Sequence, residues 1–347
     1  MAFRCAILGC GGRSRGHANA YKLITRGQLV AICDMNEKRL NEYGDIYGVK
    51  TRYTNLEEML RKEKPDVLHI VTPPTLRVGL MTQAAEAGVP GVIVEKPICI
   101  GAEDYKALRA LNARSKTKFV VNHQLRFHPK LLDLLKYVQD GNIGQVRFID
   151  ASAVLPMSGQ GVHVMDLAFA FNGYAKPATA FAGVSGYDDI NGTHPSPKSV
   201  EILVNFENGV RAVLESGEAA LRVDDSPNAK YTHMHKRIAV YGTNGFVHWR
   251  MSGWERSLPN GAVETGKKSY AEEDTPGQAG LTNALFDWIA DDKKVHPNNL
   301  ATSLDEWLVL LAAYESAVRQ KVVAFPFDPP DDLLAQFQKF VGVTPKK

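Results

Sequence analysis

Short apolar runs separated by amphipathic stretches fill the first 120 residues of the chain. The runs at residues 3–8, 29–33, 67–71, 91–94 and 119–121 contain few polar residues, which is typical of strands buried on both faces. Helical spacing between the runs predicts helices at residues 17–25, 36–47, 55–62, 76–87 and 102–114. Asn36 is a candidate N-cap of the second of these helices, and Thr54 or Asn55 of the third. This alternation predicts an α/β domain over residues 1–123, with a Rossmann-type, doubly wound parallel sheet.

The pattern changes after this segment. Strand-like runs dominate at residues 145–154, 178–184, 200–206, 210–216, 237–241 and 246–249, with the hairpin turn Asn208-Gly209 between two of them. Helices are expected at residues 162–171, 281–290, 304–319 and 330–340, and the polar stretch 251–277 is expected to be a surface excursion. Residues 124–347 are therefore predicted to form an α+β domain with an open, largely antiparallel sheet.

A glycine cluster follows the first apolar run and predicts a dinucleotide site. Gly9 permits a tight turn, and Gly11, followed by Gly12, lets the backbone approach a pyrophosphate. The helix predicted after the glycines begins with free N–H groups that are able to bind phosphate. Asp34, at the end of the second run, completes the fingerprint. The third glycine of the usual motif is replaced by Ser14.

The acid also predicts a preference for NAD over NADP. A carboxylate at Asp34 accepts hydrogen bonds from the ribose hydroxyls and would repel a 2′-phosphate. Lys38 and Arg39 lie close by in the sequence and argue in the opposite direction, since either side chain is able to reach a phosphate.

Composition narrows the class of protein. The chain has 347 residues, 44% of them hydrophobic, which is enough for two cores. A net charge of +3 argues against nucleic acid or membrane partners, and no apolar run is long enough to span a membrane. Met1 and Ala2 lead directly into the first predicted strand, so no signal peptide is expected. The cysteines fit no metal motif and are expected to be buried, reduced thiols of a cytoplasmic protein: Cys5, Cys10, Cys33 and Cys99.

Two further groups at predicted strand ends carry chemistry. Thr72 and Pro73 open a loop at the carboxyl end of the third run, where such sheets bind ligands. Lys96, held between Glu95 and Pro97 at the next strand end, is aimed at the same crevice. A dinucleotide and a partly apolar pocket would lower the pKa of Lys96, so that the amine would hold a reacting hydroxyl, stabilise alkoxide charge or relay a proton.

Histidines supply the remaining candidates. His163 and Asp166 are three residues apart on a predicted helix, so the carboxylate is placed to orient the imidazole of a candidate general base. His233 and His235 would share one face of an extended segment. No third ligand is evident beside that pair, so both are expected to face the substrate and no metal is expected.

Together these motifs resemble the Gfo/Idh/MocA oxidoreductases, which include glucose–fructose oxidoreductase and inositol dehydrogenases. The resemblance covers nearly the whole chain and rests on the glycine fingerprint and the motifs around Thr72, Lys96, Arg126 and His163. It implies NAD as cofactor and hydride transfer at a secondary hydroxyl of a sugar, polyol or glycoside. The implied catalytic residues are Lys96, His163 and Asp166. The implied cofactor contacts are Gly9, Gly11, Gly12, Arg13, Ser14, Asp34, Thr72, Pro73, Glu95, Lys96 and Arg126. The implied substrate contacts are Lys96, Asn122, His163, His233 and His235.

The chain departs from the family pattern at two positions. Gly159 stands where many members carry an Asp four residues before the histidine, and Arg77 stands where members often have a His. The first departure removes a carboxylate and leaves open whether His163 or Lys96 is the base.

Alternative functions stay open at this point. One alternative is an NAD-dependent glycosidase that oxidises its sugar transiently, and another is a non-catalytic nucleotide-binding regulator. An open sheet with one face uncovered also predicts a homodimer or homotetramer, with the apolar surface supplied by runs such as 200–204 and 210–214.

Overall fold

The computed structural model of the chain describes residues 2–190, 194–221, 234–267 and 269–342. As far as β6, the elements are, in chain order, β1 (Phe3–Leu8), α1 (Ser14–Ala20), β2 (Gly27–Cys33), α2 (Glu37–Tyr47), β3 (Arg52–Tyr53), α3 (Leu56–Glu63), β4 (Val67–Ile70), α4 (Arg77–Glu86), β5 (Gly91–Val94), α5 (Ala102–Arg114) and β6 (Lys118–Val121).

The remaining elements follow in the same order. They are α6 (Pro129–Gln139), β7 (Val146–Ala153), α7 (Val162–Phe171), β8 (Pro177–Ser185), β9 (Asp188–Ile190), β10 (His194–Ser196), β11 (Ser199–Phe206), β12 (Arg211–Gly217), β13 (Lys236–Gly242), β14 (Phe246–Arg250), β15 (Gly253–Ser257), β16 (Val263–Lys267), α8 (Tyr270–Ala290), α9 (Leu300–Arg319), β17 (Val323–Ala324) and α10 (Leu333–Phe340).

The chain divides into two compact units that are not continuous in sequence. The first unit comprises residues 1–99, 106–128 and 271–304, and the second comprises residues 100–105, 129–270 and 305–347. The segment 271–304, expected in the second domain, thus packs with the first unit. The assignment of cofactor binding to residues 1–123 and of substrate binding and oligomerisation to residues 124–347 stays a prediction.

A six-stranded sheet forms the first unit, in the order β3-β2-β1-β4-β5-β6 with all neighbours parallel. This is the Rossmann order, and the predicted fold is confirmed. The strand order reverses between β1 and β4, so a crevice opens at their carboxyl ends. Helix α8 packs on the sheet, because Ala279, Leu281, Leu285 and Phe286 join Cys5, Val67 and Ile93 in one core cluster.

A nine-stranded sheet forms the second unit, in the order β16-β15-β14-β13-β7-β12-β11-β8-β17. Only the β7–β12 pair is parallel among the strand pairs described for this sheet, which confirms the largely antiparallel prediction. Helix α7 lies against β7, β12 and β13. Ala180 of β8 and Ala312 of α9 are buried together, so helices cover one face of this sheet.

Two helix starts follow the predicted local chemistry. The side chain of Asn36 accepts a hydrogen bond from the backbone N–H of Arg39, and that of Asn55 accepts one from the backbone N–H of Glu58. Both are N-cap contacts that satisfy a backbone donor left over by the first helical turn.

The stretch 251–277 is not the surface excursion that its polarity suggested. It contains β15, the edge strand β16 and the first turns of α8. An edge strand needs little apolar surface, and every second residue of β16 is exposed. Pro276 and Gly277 lie inside α8 and concealed its start, since both residues usually interrupt helices. Helix α6 was also not predicted.

Every helix in the described part of the chain is too short or too polar to cross a bilayer.

Candidate active site

The glycine turn between β1 and α1 has the shape that a bound pyrophosphate requires. Gly9 has φ +94°, and a Cβ there would lie 2.2 Å from the carbonyl oxygen of Val71. A Cβ on Gly11 or Gly12 would meet no described atom within 4 Å, so the backbone of the turn borders open space. Ser14 is buried and its hydroxyl donates to the carbonyl of Gly11, so this side chain shapes the turn.

Asp34 closes the turn from the end of β2. Its carboxylate accepts hydrogen bonds from the backbone N–H of Cys10 at 2.8 Å and of Asn36 at 2.9 Å. The Arg39 Nε is 3.2 Å from the same carboxylate. A carboxylate has about four acceptor positions, so Asp34 retains capacity for one ribose hydroxyl. The Cys10 thiol beside it is buried, and burial raises its pKa to about 12.

Glu95 is the central polar group of the first unit. Its Oε1 accepts hydrogen bonds from Arg13 Nε at 2.7 Å, His17 Nε2 at 2.9 Å and Asn122 Nδ2 at 2.7 Å. Burial alone would raise the pKa of Glu95, but Arg13, His17 and Lys96 lower it well below its usual range. The ionised carboxylate therefore ties the glycine turn, through Arg13, to the ends of β5 and β6.

Asn122 and Gln278 exchange two hydrogen bonds across this arrangement. Asn122 Nδ2 donates to Gln278 Oε1 at 3.0 Å, and Gln278 Nε2 donates to Asn122 Oδ1 at 2.9 Å. Gln278 also accepts from Arg13. Asn122 is fully buried with its amide engaged in this way, and its expected contact with substrate stays a prediction. Sequence reasoning missed Gln278, because it lies directly after the stretch 251–277 and before the helix that was predicted to begin at residue 281.

A chain of hydrogen bonds continues from Glu95 into the core. His17 Nδ1 lies 2.9 Å from His69 Nδ1, and His69 Nε2 lies 2.7 Å from the hydroxyl of Tyr21. Because the Glu95 carboxylate only accepts, His17 carries its proton on Nε2 and accepts at Nδ1. His69 then donates from Nδ1 and accepts from Tyr21 at Nε2. Neither His17 nor His69 was predicted to belong to the site.

Four buried imidazoles of this unit have lowered pKa values, and burial is the main cause in each. Arg126 adds to the effect at two of them, where the pKa falls to about 3. The four are His17, His69, His123 and His296. All are therefore neutral at physiological pH. Arg126 itself is buried in the turn Gln124–Phe127, beside the end of β6.

Lys96 and Thr72 lie at the carboxyl edge of the same sheet. Burial lowers the pKa of Lys96 to about 8, against the opposing effect of Glu95 and with the support of Arg13 and Arg77. The buried hydroxyl of Thr72, after β4, has no hydrogen-bond partner among the described residues. The Thr72 hydroxyl and the open glycine turn lie on the two sides of the β1–β4 crevice. Both fit a bound dinucleotide, and Asp34 is the residue that would hold its ribose.

The second unit carries the other predicted residues. His163 and Asp166 lie on α7, and both are buried. A Cβ on Gly161 would lie 2.7 Å from the Ser216 hydroxyl, so glycine allows α7 to begin close to β12. His235 is buried just before β13, while His233 lies outside the described residues. Catalysis by His163 with Asp166, and substrate contact by His235, remain predictions.

Comparison with known proteins identifies the first domain. Residues 3–123 match GFO_IDH_MocA, an oxidoreductase family with an NAD-binding Rossmann fold. The D-apiose dehydrogenase of Paraburkholderia graminis is 29% identical over 238 residues, 63% of this chain and 61% of that protein. The inositol 2-dehydrogenase of Rhizobium meliloti is 27% identical over 262 residues, 71% of this chain and 75% of that protein.

A solved structure has the same fold over nearly the whole chain. An oxidoreductase from Agrobacterium radiobacter, in complex with NAD+, L-tartaric acid and magnesium, superimposes with a TM-score of 0.79 at 21% identity. The match covers 93% of this chain and 98% of that one. The predicted resemblance to the Gfo/Idh/MocA oxidoreductases is confirmed by the family match over residues 3–123.

Proposed function

Because residues 3–123 match an NAD-binding oxidoreductase family, we propose that the protein is an NAD-dependent dehydrogenase. Its substrate would be a secondary hydroxyl or ketone of a sugar, polyol or glycoside, a class supported by the D-apiose and inositol dehydrogenases among its relatives. One observation carries the proposal. Lys96 is the second residue after β5, at the same carboxyl edge as the glycine turn after β1 and Asp34 after β2.

The chemistry divides between cofactor and protein. Nicotinamide, when bound, accepts the hydride from the substrate carbon or returns it. We propose that Lys96 holds the reacting oxygen and shares its proton, because an amine with a pKa of about 8 is available in both forms near neutral pH. His163, with Asp166 stabilising its imidazolium, stays our candidate for the principal base.

A substrate screen tests the proposal. Purified protein is incubated with NAD+ and a panel of sugars, inositols and glycosides, and the absorbance of reduced nicotinamide is followed, with Lys96→Met as the inactive control. NADH formation that is lost in Lys96→Met supports the proposal. Release of an aglycone without net NADH would identify a glycosidase instead, and NAD binding without turnover of any substrate would favour a regulator.

We propose NAD rather than NADP as the preferred cofactor. A carboxylate at Asp34 would accept hydrogen bonds from a free 2′-hydroxyl and repel a 2′-phosphate. Its contact with Arg39 Nε at 3.2 Å holds that cation beside the carboxylate. Comparable kcat/KM for the two cofactors would contradict the preference. Arg39→Ala provides the sharper test, since loss of NADP activity in this variant would show that Arg39 accommodates a 2′-phosphate.

The open face of the second sheet supports a homo-oligomer. Leu203 of β11 pairs with Phe181 on one side and Val213 on the other, so the three form a row across β8, β11 and β12. Phe181 is 45% exposed and Leu203 36%. The runs 200–204 and 210–214 were expected to supply this surface. Their alternate residues are instead buried toward the helix-covered face: Val200, Ile202, Val204, Val210, Ala212 and Leu214.

Light scattering decides this part of the proposal. We expect a dimer or tetramer at micromolar concentration, and a monomer after Leu203→Glu, because a charge in the row would have to be desolvated on assembly. Lys198→Glu is the control, since this residue carries a solvated charge on the same strand hairpin. A monomeric mass for the unaltered protein would refute it.

A further inference from the structure

Arg77 is a buried cation beside the loop that carries Lys96. It begins α4 and is only 1% exposed. Its Nη1 donates to the carbonyl of Ile70 at the end of β4, and its Nη2 donates to the carbonyl of Pro97, each at 3.4 Å. Its Nε has no hydrogen-bond partner among the described residues. The guanidinium therefore bridges two neighbouring strand ends through long hydrogen bonds to neutral groups.

Such a placement is costly for the fold. A buried charge without a paired carboxylate loses hydration that weak carbonyl contacts do not replace. Burial accordingly lowers the pKa of Arg77 to about 10, against the opposing effect of Glu95. A neutral side chain able to donate hydrogen bonds would join the same two carbonyls with a smaller desolvation cost. The positive charge itself is thus the property that distinguishes Arg77 at this position.

The groups around Lys96 in this unit carry charges of both signs. Glu95 precedes it, Arg13 comes from the glycine turn, Arg77 from α4 and His123 from the end of β6. His123 is neutral, and Arg13 is bound to the Glu95 carboxylate at 2.7 Å, so that these two charges largely offset each other. Arg77 has no ion pair among the described residues, and its Nη2 contacts Pro97, the residue after Lys96, so its charge acts on the Lys96 amine.

Resting on the proposed function, we infer that Arg77 is a positioning residue for the reaction: its charge favours the uncharged amine of Lys96, the form that accepts a hydrogen bond from the substrate hydroxyl. Burial and the two nearby guanidinium groups lower the pKa of Lys96 to about 8, in agreement with this role. The alternative is that Arg77 only joins β4 to the loop after Lys96, in which case its charge would be immaterial.

Two substitutions separate the charge from the bridge. Arg77→Gln keeps a donor for a carbonyl but is neutral, and Arg77→Lys keeps the charge but cannot bridge as a fork. The titration of Lys96 is followed by NMR of 13Cε-labelled lysine, with the Lys96 signal assigned from its absence in Lys96→Met. This readout needs no substrate, so it stays decisive even if the proposed dehydrogenase activity is not found.

We expect the Lys96 midpoint to rise by on the order of one pH unit in Arg77→Gln, as removal of a like charge predicts. Arg77→Lys should stay close to the unaltered protein, and so should the control Arg61→Met, which removes an exposed charge on α3. The pH profile of kcat/KM should shift in parallel where activity is found. An unchanged midpoint in Arg77→Gln would overturn the inference. So would an equal shift in Arg77→Lys if the same NMR titration shows that the introduced amine is still charged at the Lys96 midpoint. If Arg77→Gln does not fold, Arg77→Met replaces it with the same expected midpoint.

Discussion

Glu95→Gln tests the central polar group of the first unit. The three donors from Arg13, His17 and Asn122 all converge on Oε1. Glutamine has the same shape and can place its amide oxygen at that position, so the contacts are retained while the negative charge is removed. The variant therefore measures the value of the charge rather than the effect of a cavity.

The expected loss of stability follows from these three contacts. A hydrogen bond to a charged group contributes about 1.5–3 kcal/mol and a neutral one about 1 kcal/mol. Removing the charge should then cost about 1 kcal/mol at each contact, or about 3 kcal/mol in the free energy of unfolding of this unit. Urea unfolding followed by tryptophan fluorescence measures it. Glu42→Gln, an exposed acid on α2, is the matched control and should stay within about 0.5 kcal/mol of the unaltered protein.

The same substitution should also move the titration of Lys96. Glu95 opposes the lowering of the Lys96 pKa, so its neutralisation should carry that pKa further below about 8, opposite in sign to the effect of Arg77→Gln. A stability equal to that of Glu42→Gln, or an unchanged or raised Lys96 pKa, would refute the argument that an ionised Glu95 organises this edge of the sheet.

The glycine turn, the buried imidazoles and the two candidate catalytic groups give the remaining predictions. Gly9→Ala should weaken both folding and NAD binding, because its Cβ would meet the Val71 carbonyl, whereas Gly12→Ala should weaken NAD binding alone. Equal NAD affinity in Gly12→Ala and the unaltered protein, by fluorescence titration, would contradict this placement of the pyrophosphate. As pH falls from 6.5 toward 3, the unfolded chain takes up protons that His123 and His296 exclude, because burial lowers the pKa of each to about 3. The free energy of unfolding should then fall by about 1.4 kcal/mol per pH unit for each of these two, and urea unfolding that is insensitive to pH would disprove their neutrality. His163→Ala should lower kcat by about 10²–10⁴ and leave NAD affinity intact, with Lys96→Ala at least as damaging. If single-turnover kinetics show weaker substrate binding but an unchanged hydride-transfer rate in His163→Ala, Lys96 is the base.

Local chemistry predicted much of the first unit. The turn at Gly9, the caps at Asn36 and Asn55 and the buried strands depend on backbone conformation and on short-range hydrogen bonds. These interactions act between residues that are close in sequence, so the amino-acid sequence alone predicts them. The position of Lys96 at a strand end followed from the same reasoning, because parallel strands place their carboxyl ends at one edge.

Contacts between distant segments were decided only by the tertiary structure. Gln278 reaches Asn122 across 156 positions, from a helix whose start was concealed by proline and glycine. In the sequence, His69 is one more residue of a predicted buried strand. Only the packing of α1 in the folded chain places His17 and Tyr21 against it. Likewise, the alternation in β11 divides its residues between two faces of the sheet, but it does not determine which face is covered. Ile202 is buried and Leu203 is exposed because helices pack on one side. The sequence by itself determined the elements and the cofactor turn, whereas the charge balance around Lys96 depends on Arg13, Arg77 and Glu95 being brought together by folding.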